Sequence, residues 1–236
     1  MNTTIARMRT VTTATLAGFV LVAALALTGC STSAASAAHA DTGAGAAAPM
    51  HMANGSSIDK QIELYTTMSN LWAQHMEWTY ATVVAFAQGS PGLTATLDRL
   101  LQNQTDIGNA VGSFYGTAAG DQLTALLKTH IEDAVPVLTA AKAGDTAALN
   151  TAVAAWYANA KQIGDFLAAA NPHWGKADME DMMQTHITQT LAYASDLLHG
   201  DYAKAIVDYG TAETHMQQMA TMLSAGLIKQ FPKKFD

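Results

Sequence analysis

Three Gly-Asp pairs divide the second half of the chain into segments of helical length: Gly120-Asp121, Gly144-Asp145 and Gly200-Asp201. Glycine commonly follows the last turn of an α-helix, and aspartate commonly caps the start of the next one. A further break, QGSPG, lies at residues 88–92. The segments between the breaks are rich in Ala, Leu, Met and Gln and lack strand-like alternation, so they predict an all-α fold.

The breaks predict six helices, paired into three antiparallel hairpins that repeat one unit. We expect the helices at residues 58–88, 93–115, 120–143, 145–170, 176–199 and 201–230. Very short turns alternate with longer links, one of which is ANPHWGK at residues 170–176. Residues 58–236 together are long enough for a single helical-bundle domain with one hydrophobic core.

The N-terminal segment, residues 1–29, has the features of a signal peptide. Arg7 and Arg9 precede an apolar run from Val11 to Leu27, which is short for a membrane span. The run ends in LTGC, which resembles the lipobox of bacterial lipoproteins. The resemblance implies that Cys30 is lipidated and becomes the first residue of the mature chain. Because Cys30 is the only cysteine, the sequence excludes a disulfide within one chain and a cysteine metal site.

Residues 30–57 predict a lipid-anchored, flexible tether. Their Ala, Ser and Gly residues offer little surface to bury. The segment contains Met50-His51-Met52, which could capture a soft ion such as Cu(I). The expected location is the cell envelope, with the protein anchored by lipid on the extracytoplasmic side of a bacterial membrane.

The charge of the chain excludes nucleic acid as an expected partner. Removal of Arg7 and Arg9 with the signal peptide leaves 10 of the 12 basic residues against 19 acidic ones, a net charge of about −9. No basic cluster occurs beyond Lys233-Lys234, whereas nucleic-acid binding requires a basic surface. The sequence also lacks a Gly-rich phosphate loop and a Gly-x-Ser-x-Gly motif, so no enzyme class is indicated.

Polar residues recur at fixed distances from the turns. Histidines lie about four helical turns before the turn glycines at 89, 144 and 200, and Asn or His lies about four helical turns after them. Since an α-helix rises 1.5 Å per residue, all six positions are about 21 Å from the turns. We call these positions the histidine layer: His75, Asn103, His130, Asn159, His186 and His215.

The histidine layer lies on the apolar stripe of each helix, because Leu, Met, Ile and Trp flank its members at helical spacing. A buried imidazole without a partner costs about 1–3 kcal/mol, so the layer needs partners. We expect a transition metal, Cu or Zn, because neutral imidazole is its commonest protein ligand. The predicted ligands are His75, His130, His186 and His215, with Asn103 and Asn159 as layer partners and Asp106 and Asp133 orienting the ligands.

Other interpretations of the layer stay open at this point. It could be a hydrogen-bonded network that only fixes helix register in a structural or interaction lipoprotein, or it could hold a haem or another organic ligand. An enzyme that uses a metal with an open coordination position is a third function, although the residues favour metal handling or sensing without catalysis. Glu-x-x-His is absent from the sequence, which argues against a ferritin-type di-iron centre.

Six segments of the sequence resemble those of a known family: LWAQHMEWT (71–79), LLQNQTDIGNA (100–110), AAKAGD (140–145), WYANA (156–160), AANP (169–172) and QFPKKF (230–235). They are similar to a family of exported, mostly uncharacterised bacterial helical proteins. The resemblance covers nearly the whole of residues 65–235. The resemblance implies export and a helical bundle more firmly than an activity. Some relatives carry the automatic name glycosyltransferase, but this sequence has no nucleotide-sugar motif and no Rossmann pattern.

Overall fold

A computed structural model describes residues 53–236, which form six α-helices, a short terminal 3-10 helix and no strand. The all-α bundle predicted from the sequence is therefore confirmed. The predicted signal peptide, Cys30 and nearly all of the tether lie outside these residues. The helices are α1 (Ala53–Gln88), α2 (Leu93–Tyr115), α3 (Thr117–Ala143), α4 (Thr146–Ala170), α5 (Lys176–His199) and α6 (Tyr202–Gln230), followed by η1 (Pro232–Lys234).

The six helices form a closed ring in chain order. Each helix packs on its neighbours in sequence, and α6 packs on α1 to close the ring. Helix α5 also contacts α1 and α3 across the interior. Because α2 packs on α3 and α4 on α5 as well, the packing alone does not divide the ring into pairs, and the repeat of three hairpins stays a prediction.

Two of the Gly-Asp pairs end and begin helices as the sequence predicted. Gly144 and Gly200 adopt the left-handed conformation at the C-termini of α3 and α5, with φ of 69° and 80°. Asp145 and Asp201 then cap the next helices by accepting hydrogen bonds from backbone N–H groups. These tight turns fix the register of each pair of helices.

The third pair does not end a helix, so the predicted start of α3 at residue 120 is wrong. The chain reverses at Gly116, which has φ of 92°, and α3 begins at Thr117. Gly120 lies inside α3 where it crosses α2. A Cβ on Gly120 would lie 2.7 Å from Gly108 O and 3.0 Å from Gly112 Cα. Glycine is present here because the two backbones approach closely.

An aromatic cluster closes the end of the bundle opposite the Gly-Asp turns. Trp174, from the link between α4 and α5, is 2% exposed and packs against Tyr115. Tyr115 also makes an edge-to-face contact with Phe231. Trp174 lies against Gly226 of α6, where a Cβ would come within 1.9 Å of its Nε1. No helix among residues 53–236 combines the length and the apolar character that crossing a membrane requires.

Candidate histidine site

Three histidines from alternate helices meet in the interior of the ring. His75 of α1, His130 of α3 and His186 of α5 are each 2% exposed. The ring centre of His186 lies 5.5 Å from that of His75 and 5.5 Å from that of His130. We call these residues the central histidines. They meet because α5 crosses the interior and contacts both α1 and α3.

Asn159 determines the tautomer of His130. Its Nδ2 donates to the backbone oxygen of Leu126 at 3.1 Å, so its Oδ1 is the atom that faces His130 Nδ1, at 3.0 Å. An amide oxygen only accepts hydrogen bonds, so the proton of the neutral ring is on Nδ1. The lone pair of His130 is therefore on Nε2.

Gln104 occupies the corresponding place beside His75. Its Nε2 lies 3.2 Å from His75 Nδ1 and also donates to the backbone oxygen of Leu100 at 2.8 Å. Since an amide nitrogen only donates, His75 Nδ1 accepts this bond and the ring proton is on Nε2. Gln104 Oε1 is buried and has no hydrogen-bond partner among residues 53–236. Turning the Gln104 amide over would place an acceptor beside Nδ1 and move the lone pair of His75 to Nε2.

Two nitrogens of the central histidines are buried without a hydrogen-bond partner in the described part of the chain: His130 Nε2 and His186 Nδ1. Each costs about 1–3 kcal/mol relative to a satisfied group. The tautomer set by Asn159 makes His130 Nε2 a free electron-pair donor. The arrangement thus presents to the interior the type of atom that binds a metal ion.

The other layer members bind backbone carbonyls at equivalent positions. Asn103 donates to Leu71 O at 3.0 Å, and His215 Nε2 lies 2.9 Å from Met182 O. Asn159 makes the same bond to Leu126 O. In every case the carbonyl belongs to the residue four positions before a central histidine. His215 is half-buried, so the structure places it at the side of the central histidines, and its Nε2 is already engaged.

Burial keeps the central histidines uncharged. It lowers the pKa of His75 to about 3, helped by the charge of His130 and opposed by the hydrogen bond from Gln104. It lowers the pKa of His130 to about 4, against the opposing effect of Asn159. Burial, followed by the charges of the neighbouring histidines, holds the pKa of His186 well below its ordinary value. At neutral pH all three are neutral imidazoles, the form that binds metal ions.

A cavity of about 50 Å³ adjoins the central histidines. It is lined by all three of them, by Thr79, Thr82 and Thr190, and otherwise by apolar side chains and Trp156. The volume exceeds the roughly 10–15 Å³ that one water molecule needs. Pockets for drug-sized ligands start at roughly 300 Å³, so the cavity is far too small to admit a haem.

Tryptophans hold two of the central histidines in place. Trp156 Nε1 donates to the backbone oxygen of His130 at 2.8 Å, and the two rings lie 5.3 Å apart. Trp72 makes an edge-to-face contact with His75 at 5.7 Å. Each tryptophan thus packs against the ring of one central histidine, and Trp156 also anchors the backbone of His130.

The two carboxylates expected to orient the ligands have other surroundings. Asp106 accepts a hydrogen bond from Gln102 at 3.1 Å and contacts Arg99 at 3.5 Å. Asp133 is half-buried, and burial followed by the charge of Glu132 raises its pKa. Among the described residues neither carboxylate hydrogen-bonds a layer histidine.

The side chains that do contact the imidazole nitrogens are amides. Asn159 was predicted as a layer partner, but the sequence analysis missed Gln104. The repeat gives a signal for it, because Gln104 follows His75 by 29 residues and Asn159 follows His130 by 29 residues. His173 and His199, which lie outside the layer, are exposed.

Within residues 53–236, no three His, Cys, Asp or Glu side chains are arranged so that they could hold a metal ion as they stand. The 5.5 Å between ring centres is nevertheless close to the roughly 5 Å expected for two imidazoles bound to one tetrahedral ion at about 2 Å. For these two pairs, His75 with His186 and His130 with His186, convergence of the nitrogens requires rotation of the rings. No protein-family model matches the chain, and neither the curated proteins nor the solved structures contain a match.

Proposed function

We propose that the protein is a lipid-anchored component of the bacterial cell envelope that binds a transition metal ion, copper or zinc, between its central histidines. Binding there serves metal handling or sensing. His75, His130 and His186 supply the ligands after rotation of their rings, and turning of the Gln104 amide frees His75 Nε2. His215, the fourth histidine predicted from the sequence, supports the site through its bond to Met182 O.

The observation that carries this proposal is the unpartnered pair His130 Nε2 and His186 Nδ1, which are buried beside the same cavity. A network that only fixed helix register would pair its polar atoms with one another. Here Asn159 accepts a hydrogen bond from His130 Nδ1 and leaves the lone pair of that ring on Nε2, and turning of the Gln104 amide would give His75 the same arrangement. Histidines that bind metals are commonly held by such a bond to their second nitrogen.

The test is thermal unfolding of the full-length protein after chelation, with Zn²⁺, Cu²⁺ and Cu(I) added in turn. A ligand that binds only the folded state at 100 times its Kd stabilises that state by about 2.7 kcal/mol. For a chain of this size that corresponds to a rise in Tm of roughly 5–10 °C. The right ion should raise the Tm of the wild type by this amount.

His186→Ala should abolish the rise, and the exposed His173→Ala, a matched control, should retain it. No shift with any ion in the wild type would leave the hydrogen-bonded structural layer as the function of these residues. An equal shift in wild type and His186→Ala would place the metal elsewhere. Met50-His51-Met52 of the tether would then be the first segment to replace.

A further inference from the structure

The cavity beside the central histidines has walls that favour carbon over polar groups. No Asp, Glu, Lys or Arg of the described chain lines it, so a charged molecule would lose its hydration there without gaining an opposite charge. Thr79 and Thr82 donate their hydroxyl hydrogens to backbone carbonyls of α1 at 2.6 and 2.7 Å. His130 Nε2, His186 Nδ1 and Thr190 Oγ1 expose almost no surface. The cavity therefore favours an uncharged, apolar guest.

Water is a poor occupant of such a cavity. A buried water needs roughly two to four polar partners, whereas a cavity with aliphatic walls stays dry and binds small apolar molecules. The buried aliphatic side chains of the wall are Val83, Leu100, Ile131, Val137 and Ala194. An apolar cavity of about 150 Å³ binds benzene, so the volume here, about 50 Å³, holds roughly two or three carbon atoms.

The cavity reaches the surface between α2 and α3. Its most exposed lining residue is Val135 of α3, at 43%, and Leu97 of α2 is half-buried. Both lie about five helical turns from Gly116. The close backbone contact of the two helices is near Gly116 instead, at Gly108 and Gly120. The opening is thus apolar and lies where these glycines do not hold the helices together.

Pro136 weakens the wall at this opening. It lies inside α3, beside Val135. Because proline has no N–H, it cannot donate to the backbone oxygen of Glu132, and this turn of α3 has one helical hydrogen bond fewer. Such a turn bends more readily than a complete one, which gives a guest a way past Val135.

We propose that the cavity binds the methyl end of an unbranched alkyl chain, of a fatty acid or a phospholipid, which enters between α2 and α3. Roughly two or three carbon atoms fill the cavity, and the polar end of the molecule remains in water. The chain also contacts the half-buried Leu97, Ala134 and Leu138, which a free molecule of two or three carbons would not do. This inference requires no metal ion, so it is independent of the proposed function.

Fluorescence quenching tests the proposal, because Trp156 lines the cavity and bromine quenches tryptophan at close contact. Full-length Cys30→Ser protein in cholate is titrated with dodecanoate that carries bromine on its terminal carbon. Dodecanoate brominated beside its carboxylate is the matched control. Cys30→Ser removes any chain attached to Cys30, and cholate is a rigid steroid without an alkyl chain, so neither competes.

The terminal bromine should quench saturably, and unlabelled dodecanoate should reverse the quenching. The control acid should leave most of the fluorescence at the same concentration, because its bromine remains outside. After removal of cholate, vesicles of phosphatidylcholine with terminally brominated chains form a second arm. Quenching by the free acid alone identifies a fatty acid as the guest, and quenching by the vesicles identifies a phospholipid chain.

A variant that fills the cavity tests the place of binding. Ala194 is buried and lines the cavity, so Ala194→Leu should weaken binding about tenfold or more, through the lost burial of roughly two carbon atoms. Ala203→Leu, at an exposed position of α6, is the matched control and should bind with unchanged affinity. If circular dichroism shows that Ala194→Leu does not fold, the milder Ala134→Val should weaken binding about threefold.

Three results would overturn the proposal. One is the absence of saturable quenching in both arms. Another is equal quenching by the two brominated acids, which would place the chain along the surface. The third is unchanged affinity in folded Ala194→Leu or Ala134→Val, because the guest would then lie outside the cavity. None of these results bears on metal binding, which the ion-dependent rise in Tm tests separately.

Discussion

His130 Nδ1 lies 3.0 Å from Asn159 Oδ1, and the second amide atom of Asn159 is bound to Leu126 O. The asparagine therefore cannot turn over without losing a bond. It holds the proton of His130 on Nδ1 and leaves the lone pair on Nε2. The side chain of Asn159 thus has two roles: it bonds α4 to α3, and it determines which nitrogen of His130 carries the lone pair.

Replacement of Asn159 should weaken stability and metal binding together. Asn159→Leu leaves His130 Nδ1 without an acceptor, so the free energy of unfolding should fall by about 1–3 kcal/mol. Metal affinity should fall 10–100-fold, as for other residues that orient a histidine ligand. Denaturant unfolding and metal titration measure the two effects. Asn150→Leu, at an exposed position of the same helix, should change neither, and an unchanged Asn159→Leu would show that the bond has no role.

The metal-free protein should lose stability in mild acid. Histidine in the unfolded chain has a pKa near 6.5, whereas His75 and His130 titrate at about 3 and 4 in the folded chain. Between these values the unfolded state binds more protons, so the free energy of unfolding falls as the pH falls. For one histidine the free energy of unfolding falls by about 1.4 kcal/mol per pH unit in this range. For all three central histidines together it falls by about 4 kcal/mol per pH unit.

Urea unfolding in the presence of a chelator, between pH 7.5 and 4.5, measures this slope. His130→Leu should reduce it by about one third, while the exposed His173→Ala should not change it. A free energy of unfolding that stays constant from pH 7 to 5 would contradict the burial of neutral imidazoles.

Much of the fold could be predicted because helix ends depend on local chemistry. Gly144 and Gly200 end α3 and α5, and Asp145 and Asp201 cap the starts of α4 and α6, all through contacts within a few residues. Gly120 was wrongly predicted to mark the start of a helix. It lies inside α3 and permits the close approach of α2 and α3. Nothing in the neighbouring sequence distinguishes it from a glycine at a helix end.

The sequence allowed us to predict which polar residues lie at one depth of the bundle, but not which of them contact one another. Nearly equal distances from the turns placed the polar residues at one depth, which needs only the helical rise. The meeting of three histidines depends on α5 crossing the ring toward α1 and α3, which no local pattern encodes. Gln104 was missed because Asn159 makes two contacts with one side chain, to a backbone carbonyl and to an imidazole nitrogen. Near His75 these two contacts are made by two adjacent residues, the carbonyl contact by Asn103 and the imidazole contact by Gln104.

The contact between Trp174 and Gly226 should not tolerate a methyl group. A Cβ at position 226 would lie 1.9 Å from Trp174 Nε1, and the buried ring cannot move away. Gly226→Ala should therefore lower the free energy of unfolding by about 1–3 kcal/mol. Gly210→Ala is the control on the same helix, because nothing lies within 4 Å of its added Cβ. That control should gain about 0.5–1 kcal/mol from helix propensity, so equal effects would exclude the steric explanation.

The proposed lipid anchor depends on one thiol. Cys30 is the only cysteine of the chain, so Cys30→Ser should abolish labelling by radioactive or alkyne fatty acid and release the protein from the membrane fraction or block its processing. Ser31→Ala, beside it, should be labelled as the wild type is. Labelled lipid on Cys30→Ser would show that the lipobox assignment is wrong.

His215→Asn should be tolerated, because Asn103 of α2 and Asn159 of α4 make the corresponding backbone contact. Asn103 and Asn159 donate to Leu71 O and Leu126 O, as His215 does to Met182 O. The new asparagine would retain that bond. It would also place an acceptor near His186 Nδ1, which has no partner among the described residues, as Asn159 does for His130. The free energy of unfolding should stay constant or rise by about 0.5–1.5 kcal/mol.

Metal affinity of His215→Asn should stay within a few-fold of that of the wild type, because His186 binds the ion through Nε2 when its Nδ1 donates to the new amide. His215→Ala removes the bond to Met182 O without replacement and should lower stability by about 1 kcal/mol. Thermal unfolding and metal titration of both variants give the comparison. If His215→Asn instead loses metal affinity by orders of magnitude, His215 is itself a ligand and the site contains four histidines.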